Sequence, residues 1–244
     1  MSEILDLVRN VTSPLLAGHV PPVEALKLLV SKLLGFAILA GACITKLPQI
    51  LNVVRSKSAE GLSALSFELE ALVLIIHTSY GALSGLPFSS YGEAGILCCQ
   101  SLLLLCLVYY YSAASRFRAT AVLGLLSALV AAVILGQVSM QHVQLAFDFN
   151  NVLNMGARLP QIYKNFRAQA TGQLSLTTSA INTLGAVIRI FTSLTDKAGA
   201  AMVRTYILSL IMNSTLLAQI LYFGPTGRTR SKLAKLQKLQ KKKN

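Results

Sequence analysis

Apolar residues along this chain fall into long runs, not into the alternation of a half-buried strand or the one-sided stripe of a surface helix. The first run extends from about Leu28 to Val54 and closes on the polar turn Arg55-Ser-Lys57-Ser-Ala-Glu60-Gly61. A second covers roughly Leu62 to Leu83 and is broken by Gly85-Leu-Pro87. A third starts near Tyr91 and ends at Tyr109-Tyr110-Tyr111, rings suited to a membrane–water interface. The fourth, Ala119 to Leu135, is uncharged; the fifth, about Val138 to Phe166, is the most polar of the set. The sixth runs from roughly Leu174 to Leu194 and turns at Asp196-Lys197; the seventh covers about Ala200 to Phe223, where Gly224-Pro225 should stop it. Each run approaches the roughly 20 residues that a helix needs to cross a bilayer. The pattern predicts an all-α integral membrane protein of seven transmembrane helices.

Composition agrees with this reading. Of 244 residues, 54% are hydrophobic and 13% are charged, against about 25% charged in a soluble domain. The net charge of +13 raises the question of nucleic acid, but no basic stripe is interleaved with exposed aromatics as such a surface requires. Eight basic residues lie between Arg228 and Lys243 instead, and the others flank apolar runs. Arg55, Lys57, Arg116, Arg118, Lys164, Arg167 and that tail share one side of a seven-span chain. The excess of positive charge is expected to place that side, with the C-terminus, in the cytosol, and the N-terminus outside it. The N-terminus does not look like a cleaved signal peptide, so targeting is expected from the first transmembrane helix. Cys43, Cys98, Cys99 and Cys106 all sit inside apolar runs as small packing residues. No metal or cofactor spacing and no catalytic constellation is present, and an enzyme is not expected.

An internal repeat organises the chain. Lys46-Leu-Pro48-Gln49-Ile50 returns as Arg158-Leu-Pro160-Gln161-Ile162, 112 residues later. At the same offset Arg55 meets Arg167, Leu62-Ser63 meets Leu174-Ser175, and Leu72 meets Leu184. Equivalent points lie four crossings apart, and an even number of crossings restores direction, so the two halves are expected to be parallel. The predicted organisation is a lumenal N-terminal segment (1–27), a three-helix repeat (28–115), a linker transmembrane helix (116–137), a second three-helix repeat (138–223) and a basic cytosolic tail (224–244). Parallel repeats of this kind occur among transporters, with the binding site at the repeat interface.

Pro48 and Pro160 each remove a backbone hydrogen bond and crowd the carbonyl four residues back, that of Ile44 or Gly156. They are read either as simple kinks or as paired hinges. Lys46 and Arg158 precede them within their spans, where charge faces a partner or a cavity or snorkels to the nearby interface. Asp148, Asn151, Asn154 or Met155, Arg158 and Gln161 recur at three- to four-residue spacing and share one helix face, serving substrate or helix–helix hydrogen bonds. Glu70 is a candidate partner for a cationic group. His77 reads as a packed, hydrogen-bonded residue, with Arg189 at the matching position. Asn213 interrupts the seventh run. Candidate substrate-binding residues are thus Lys46, Gln49, Glu70, Asp148, Asn154, Arg158, Gln161 and Asn213, with Pro48 and Pro160 as hinges. Leu233, Leu236 and Leu239 among lysines predict a short basic amphipathic helix on the anionic leaflet. Lys241 and Lys242 resemble the dilysine retrieval signal of endoplasmic reticulum membrane proteins. Asn10-Val-Thr12 has the glycosylation acceptor pattern.

The repeated Leu-Pro-Gln segments resemble the PQ-loop superfamily, which includes the SWEET sugar carriers. More closely, Lys46-Leu-Pro-Gln49, Ser58-Ala-Glu-Gly-Leu-Ser63, Pro87-Phe-Ser-Ser-Tyr-Gly-Glu93, Thr171-Gly-Gln-Leu-Ser175 and Arg189-Ile-Phe-Thr-Ser193 resemble the mannose-phosphate-dolichol utilization defect family, over nearly the whole chain beyond residue 25. That resemblance implies an endoplasmic reticulum membrane protein needed for the use of dolichol-phosphate-mannose and dolichol-phosphate-glucose as lumenal glycosyl donors, and hence for N-glycosylation. It implies dolichol-linked monosaccharide lipids as ligands, moved across the bilayer or presented to lumenal glycosyltransferases. Two alternatives stay open: a SWEET-like carrier of small soluble sugars or amino acids, and a non-transporting chaperone or receptor for glycosyltransferases.

Overall fold

The computed structural model describes residues 2–112, 116–171 and 174–241; for 2–5, 15, 157 and 224–241 it describes the backbone alone. Among the described residues the chain is entirely helical, with no strand. The helices are α1 (Ser2–Leu16), α2 (Val23–Thr45), α3 (Leu47–Ser56), α4 (Ala64–Leu83), α5 (Phe88–Tyr111), α6 (Arg116–Ile134), α7 (Met140–Ala168), α8 (Leu176–Thr195) and α9 (Gly199–Lys241).

These nine differ from the seven expected for two reasons. The first apolar run is split at Lys46 into α2 and α3, and the N-terminal segment forms a helix of its own. In α1 the apolar Leu7 and Val11 are four residues apart and both buried, while Asn10 is exposed. The expected stop at Gly224-Pro225 does not occur: α9 runs through it to Lys241. The residues beyond are largely Lys, Leu, Gln and Ala, strong helix formers that carry the helix on. The retrieval candidates fall outside this account, since Lys242 lies outside the described residues and only the backbone of Lys241 is described.

Four segments are long and apolar enough to cross a bilayer on length and composition: Val23–Ser56, Phe88–Tyr111, Arg116–Ile134 and Gly199–Phe223. With α4, α7 and α8 carrying the polar groups Glu68, Glu70, Asp148, Arg158 and Arg189, the chain is a multi-pass membrane protein. The repeat is visible in the helices themselves. The helices α4 and α8, both 20 residues long, start and end 112 residues apart, as do the ends of α3 and α7 at Ser56 and Ala168.

The chain divides into two compact units, one of residues 1–149 with 192–198, the other of 150–191 with 199–244. In the first, Ile50 and Val53 of α3 pack with Phe67, Ala71 and Ile75 of α4, Cys98, Leu104, Leu105 and Val108 of α5, and Leu126 of α6. Glycine sets the closest approach in this bundle. A Cβ at Gly81 would overlap Cβ and Cγ of Tyr91, atoms too near the α5 backbone to swing away. Gly81→Val should therefore lower stability by roughly 1–3 kcal/mol through overpacking. Gly124→Ala, with nothing within 4 Å of the added carbon, should be neutral or slightly stabilising. Thermal unfolding in detergent distinguishes the two; equal melting of both variants would deny the close approach.

In the second unit, α7 and α9 meet along a seam of polar pairs. Asn151 donates to Thr205 Oγ1 (2.7 Å), Arg158 to Asn213 Oδ1 (2.8 Å) and Asn165 to Gln219 Oε1 (3.1 Å). The α7 members are seven residues apart, two helical turns, so they line one face.

Candidate functional site

The split between α2 and α3 is built from both helices and from α5. At Lys46 the chain leaves the regular helix (φ −101°, ψ −6°), and Pro48 sits in the first turn of α3. Proline at that place loses no hydrogen bond that the new helix would have made. The carbonyls of the preceding turn are held from the side. Gln100 Nε2 donates to Ala42 O (3.2 Å) and Cys43 O (2.8 Å), while its Oε1 accepts from the Lys46 N–H (3.3 Å). One amide side chain thus supplies both donors and the acceptor that exposed backbone requires at membrane depth.

The same break turns the Lys46 side chain onto α4. Its Nζ lies 2.6 Å from Glu70 Oε2, which also accepts from Ser101 Oγ at 3.0 Å, and stands 5.5 Å from the centre of the Phe67 ring. Lys46 is 11% exposed and Glu70 39%. The partner of Glu70, open from sequence, is therefore Lys46. Gln49 follows one turn away, half-buried on α3.

The second repeat reuses these positions with other chemistry. Arg158 stands where the first repeat has Lys46, and Asn213 where it has Ser101; Glu70 is matched by Asn182, and Gln100 by Met212. A thioether cannot hold two carbonyls, and here Pro160 lies inside an unbroken α7. The two Leu-Pro-Gln segments thus differ: Pro48 marks a break, Pro160 an interior position. Asn154, exposed, donates to Asn150 O and Oδ1 (3.1 and 3.3 Å); Gln161 is exposed on the next turns, and Asp148 is half-buried within the first unit. Of the expected stripe, Asn151 and Arg158 join the seam with α9.

Two groups went unnoticed in sequence. Asp196, expected as a polar turn residue, is turned inward at 2% exposure. It pairs with Lys32 Nζ (3.0 Å) and accepts from Ser90 Oγ, while Lys32 also donates to Ser89 Oγ (3.3 Å). Ser90 of the Pro87–Glu93 segment thus holds the α8–α9 connection directly, and Ser89 holds the lysine that pairs with it. At the opposite end of α4, Arg118 of α6 grips Glu68 through Nε and NH2, each at 3.1 Å, and Tyr109 OH donates to the same carboxylate at 2.6 Å. A planar guanidinium fits a carboxylate two-handed, which fastens α6 to α4. Beside these helices a cleft of about 230 Å³ is lined by Ile75, Ile76, Leu129, Val133 and Val143, with His142 bonded to Ser139 Oγ at its edge. Its walls offer room to hydrocarbon rather than to a charged head.

Residues 30–90 and 149–200 match the PQ-loop repeat, and each stretch holds one Leu-Pro-Gln segment. Human solute carrier family 66 member 3 is 23% identical over 188 residues, covering 77% of this chain and 91% of its own length. A eukaryotic SWEET transporter structure superposes with a TM-score of 0.63 at 17% identity, over 84% of this chain and all of that one. The two stretches of this multi-pass membrane protein that match the PQ-loop repeat thus lie on a SWEET-like fold.

Proposed function

We propose that this protein works in the endoplasmic reticulum membrane, where it moves dolichol-phosphate-mannose and dolichol-phosphate-glucose between leaflets or presents them to lumenal glycosyltransferases. On this reading α2 with α3, α4 and α5 form one three-span bundle, α6 the linker, and α7, α8 and α9 the second bundle, with the N-terminus lumenal and the C-terminus cytosolic. The observation that carries the proposal is the broken first span with its polar cluster of Lys46, Glu70, Gln100 and Ser101. A lipid-linked sugar needs hydrogen-bonding groups at membrane depth for its head, while its tail stays in hydrocarbon. Buried polar side chains at a discontinuous helix answer that need. The motifs shared with the mannose-phosphate-dolichol utilization defect family give the lipid its identity.

The test is reconstitution of the purified chain into vesicles with labelled dolichol-phosphate-mannose on one leaflet. The label should equilibrate between leaflets faster than in protein-free vesicles; equal rates would remove the transport form of the proposal. Co-purification of a transferase without lipid movement would leave the presenting form. The SWEET-like fold favours a second reading, a carrier of small soluble sugars or amino acids, and the same vesicles assayed for uptake of free mannose and amino acids decide it.

A further inference from the structure

Charge is divided unequally between the two units. All nine acidic residues lie in the first, which also holds nine basic ones. The second contains thirteen basic residues and no aspartate or glutamate, so it accounts for the entire net charge of +13. Most of those cations lie in the tail and at helix ends, but Arg158 does not. It is six residues, about 9 Å along the helix, inside the turn that carries Lys164.

The repeat makes the contrast sharp. In the first unit Lys46 is neutralised by Glu70 at 2.6 Å. In the second, Arg158 meets an amide: Asn213 Oδ1 takes one of its N–H groups at 2.8 Å, and Asn213 Nδ2 donates in turn to Ser209 Oγ. Among the described residues Arg158 has no carboxylate partner, and the position matching Glu70 holds the neutral Asn182. Arg189 of this unit is buried, and its guanidinium lies 6.0 Å over the ring of Tyr206.

We propose that Arg158, with Asn213 beside it, is an anion site for a phosphate group, and that Lys46 is not. A guanidinium at membrane depth is expensive to keep without a counter-charge, and its fork matches phosphate oxygens two at a time. One of its five donors is held by Asn213, which orients the rest. Glu70 closes the corresponding place in the first repeat, because a phosphate there would meet a carboxylate as well as the ammonium. The inference rests on the proposed function only for the polyprenyl part of the ligand. A soluble sugar phosphate presents the same group.

The experiment measures binding of labelled farnesyl phosphate, mannose 1-phosphate and uncharged farnesol to the purified full chain in detergent. Farnesyl phosphate should bind and farnesol should not compete. Arg158→Gln should weaken binding more than tenfold, and Arg158→Lys should fall between. Asn182→Glu, which places a carboxylate where the first repeat has Glu70, should abolish binding while Asn182→Gln binds as the native chain does. Gel filtration and thermal unfolding verify that each variant is folded. Competition by mannose 1-phosphate would identify a soluble phosphate as ligand, and its failure to compete a lipid one. Farnesyl phosphate held equally by the native chain and Arg158→Gln, or by neither, overturns the anion site. Binding through Arg158 without movement of dolichol-phosphate-mannose would retire the transport form of the proposed function and keep the site; movement undiminished in Arg158→Gln would do the reverse.

Discussion

Replacing Glu70 by leucine is expected to destabilise the protein by about 2–4 kcal/mol, somewhat less than removing one partner of a fully buried ion pair, because the Glu70 side chain is 39% exposed. The substitution leaves the Lys46 ammonium, 11% exposed, with no anion inside an apolar bundle, and leaves Ser101 Oγ without its acceptor. The Phe67 ring face at 5.5 Å offsets little of that. The loss belongs to the stranded charge, not to the bond, so Lys46→Met combined with Glu70→Leu should recover most of it. Thermal unfolding in detergent of the two single variants and the double variant gives the coupling directly. A Glu70→Leu protein melting with the native one would mean that Lys46 finds solvent or headgroups, and would end its description as a buried cation.

Gln100→Leu should be comparably damaging, at about 2–4 kcal/mol, since the carbonyls of Ala42 and Cys43 lose a donor and the N–H of Lys46 keeps only Ile44 O, and polar groups left unsatisfied away from water cost roughly 1–3 kcal/mol each. Gln100→Glu should do no better, because an ionised carboxylate turns lone pairs toward two carbonyl oxygens. The rescue is specific. Pro48→Ala returns a backbone donor to the broken segment, so the double variant Pro48→Ala/Gln100→Leu can run α2 into α3 as one helix and should regain stability. If the break is needed for movement of lipid, that double variant will be stable and inactive in vesicles. Gln100→Leu unfolding at the native temperature would show that the split persists without its amide support.

Much of this architecture could be read from residues alone. Long apolar runs marked the helices, four of them in segments long and apolar enough to cross a bilayer, because a bilayer demands about 20 residues of such sequence whatever its detail. The offset linking Pro48 to Pro160 placed the matching helices α4 and α8 and the two stretches that match the PQ-loop repeat. What could not be read was which side chains meet. Lys46 with Glu70 depends on how far the break rotates α3 against α4, and nothing in a single segment encodes that angle. The same tetrapeptide, Leu-Pro-Gln-Ile, ends a helix in one repeat and lies within a helix in the other. The difference belongs to a third helix, through Gln100 and its counterpart Met212. A glutamine inside the apolar stretch 96–108 was the available signal. Asp196 was misjudged for a related reason: a charged residue in a short connection reads as solvated until Lys32 and Ser90 are found against it.

The placement of Asp196 bears on ancestry. A chain made of two like halves invites the idea that each could be synthesised separately and joined, as two copies of a half-length forebear once would have been. Here the connection that closes the second half is seated on side chains of the first. A detached second half would present a bare carboxylate at the end of its helix pair, and a detached first half would leave the Lys32 ammonium with the Ser89 hydroxyl and without its counter-charge. Complementation in trans would have to rebuild that seat before anything else. The duplication has in this sense become irreversible, sealed by a residue that lies outside both Leu-Pro-Gln segments.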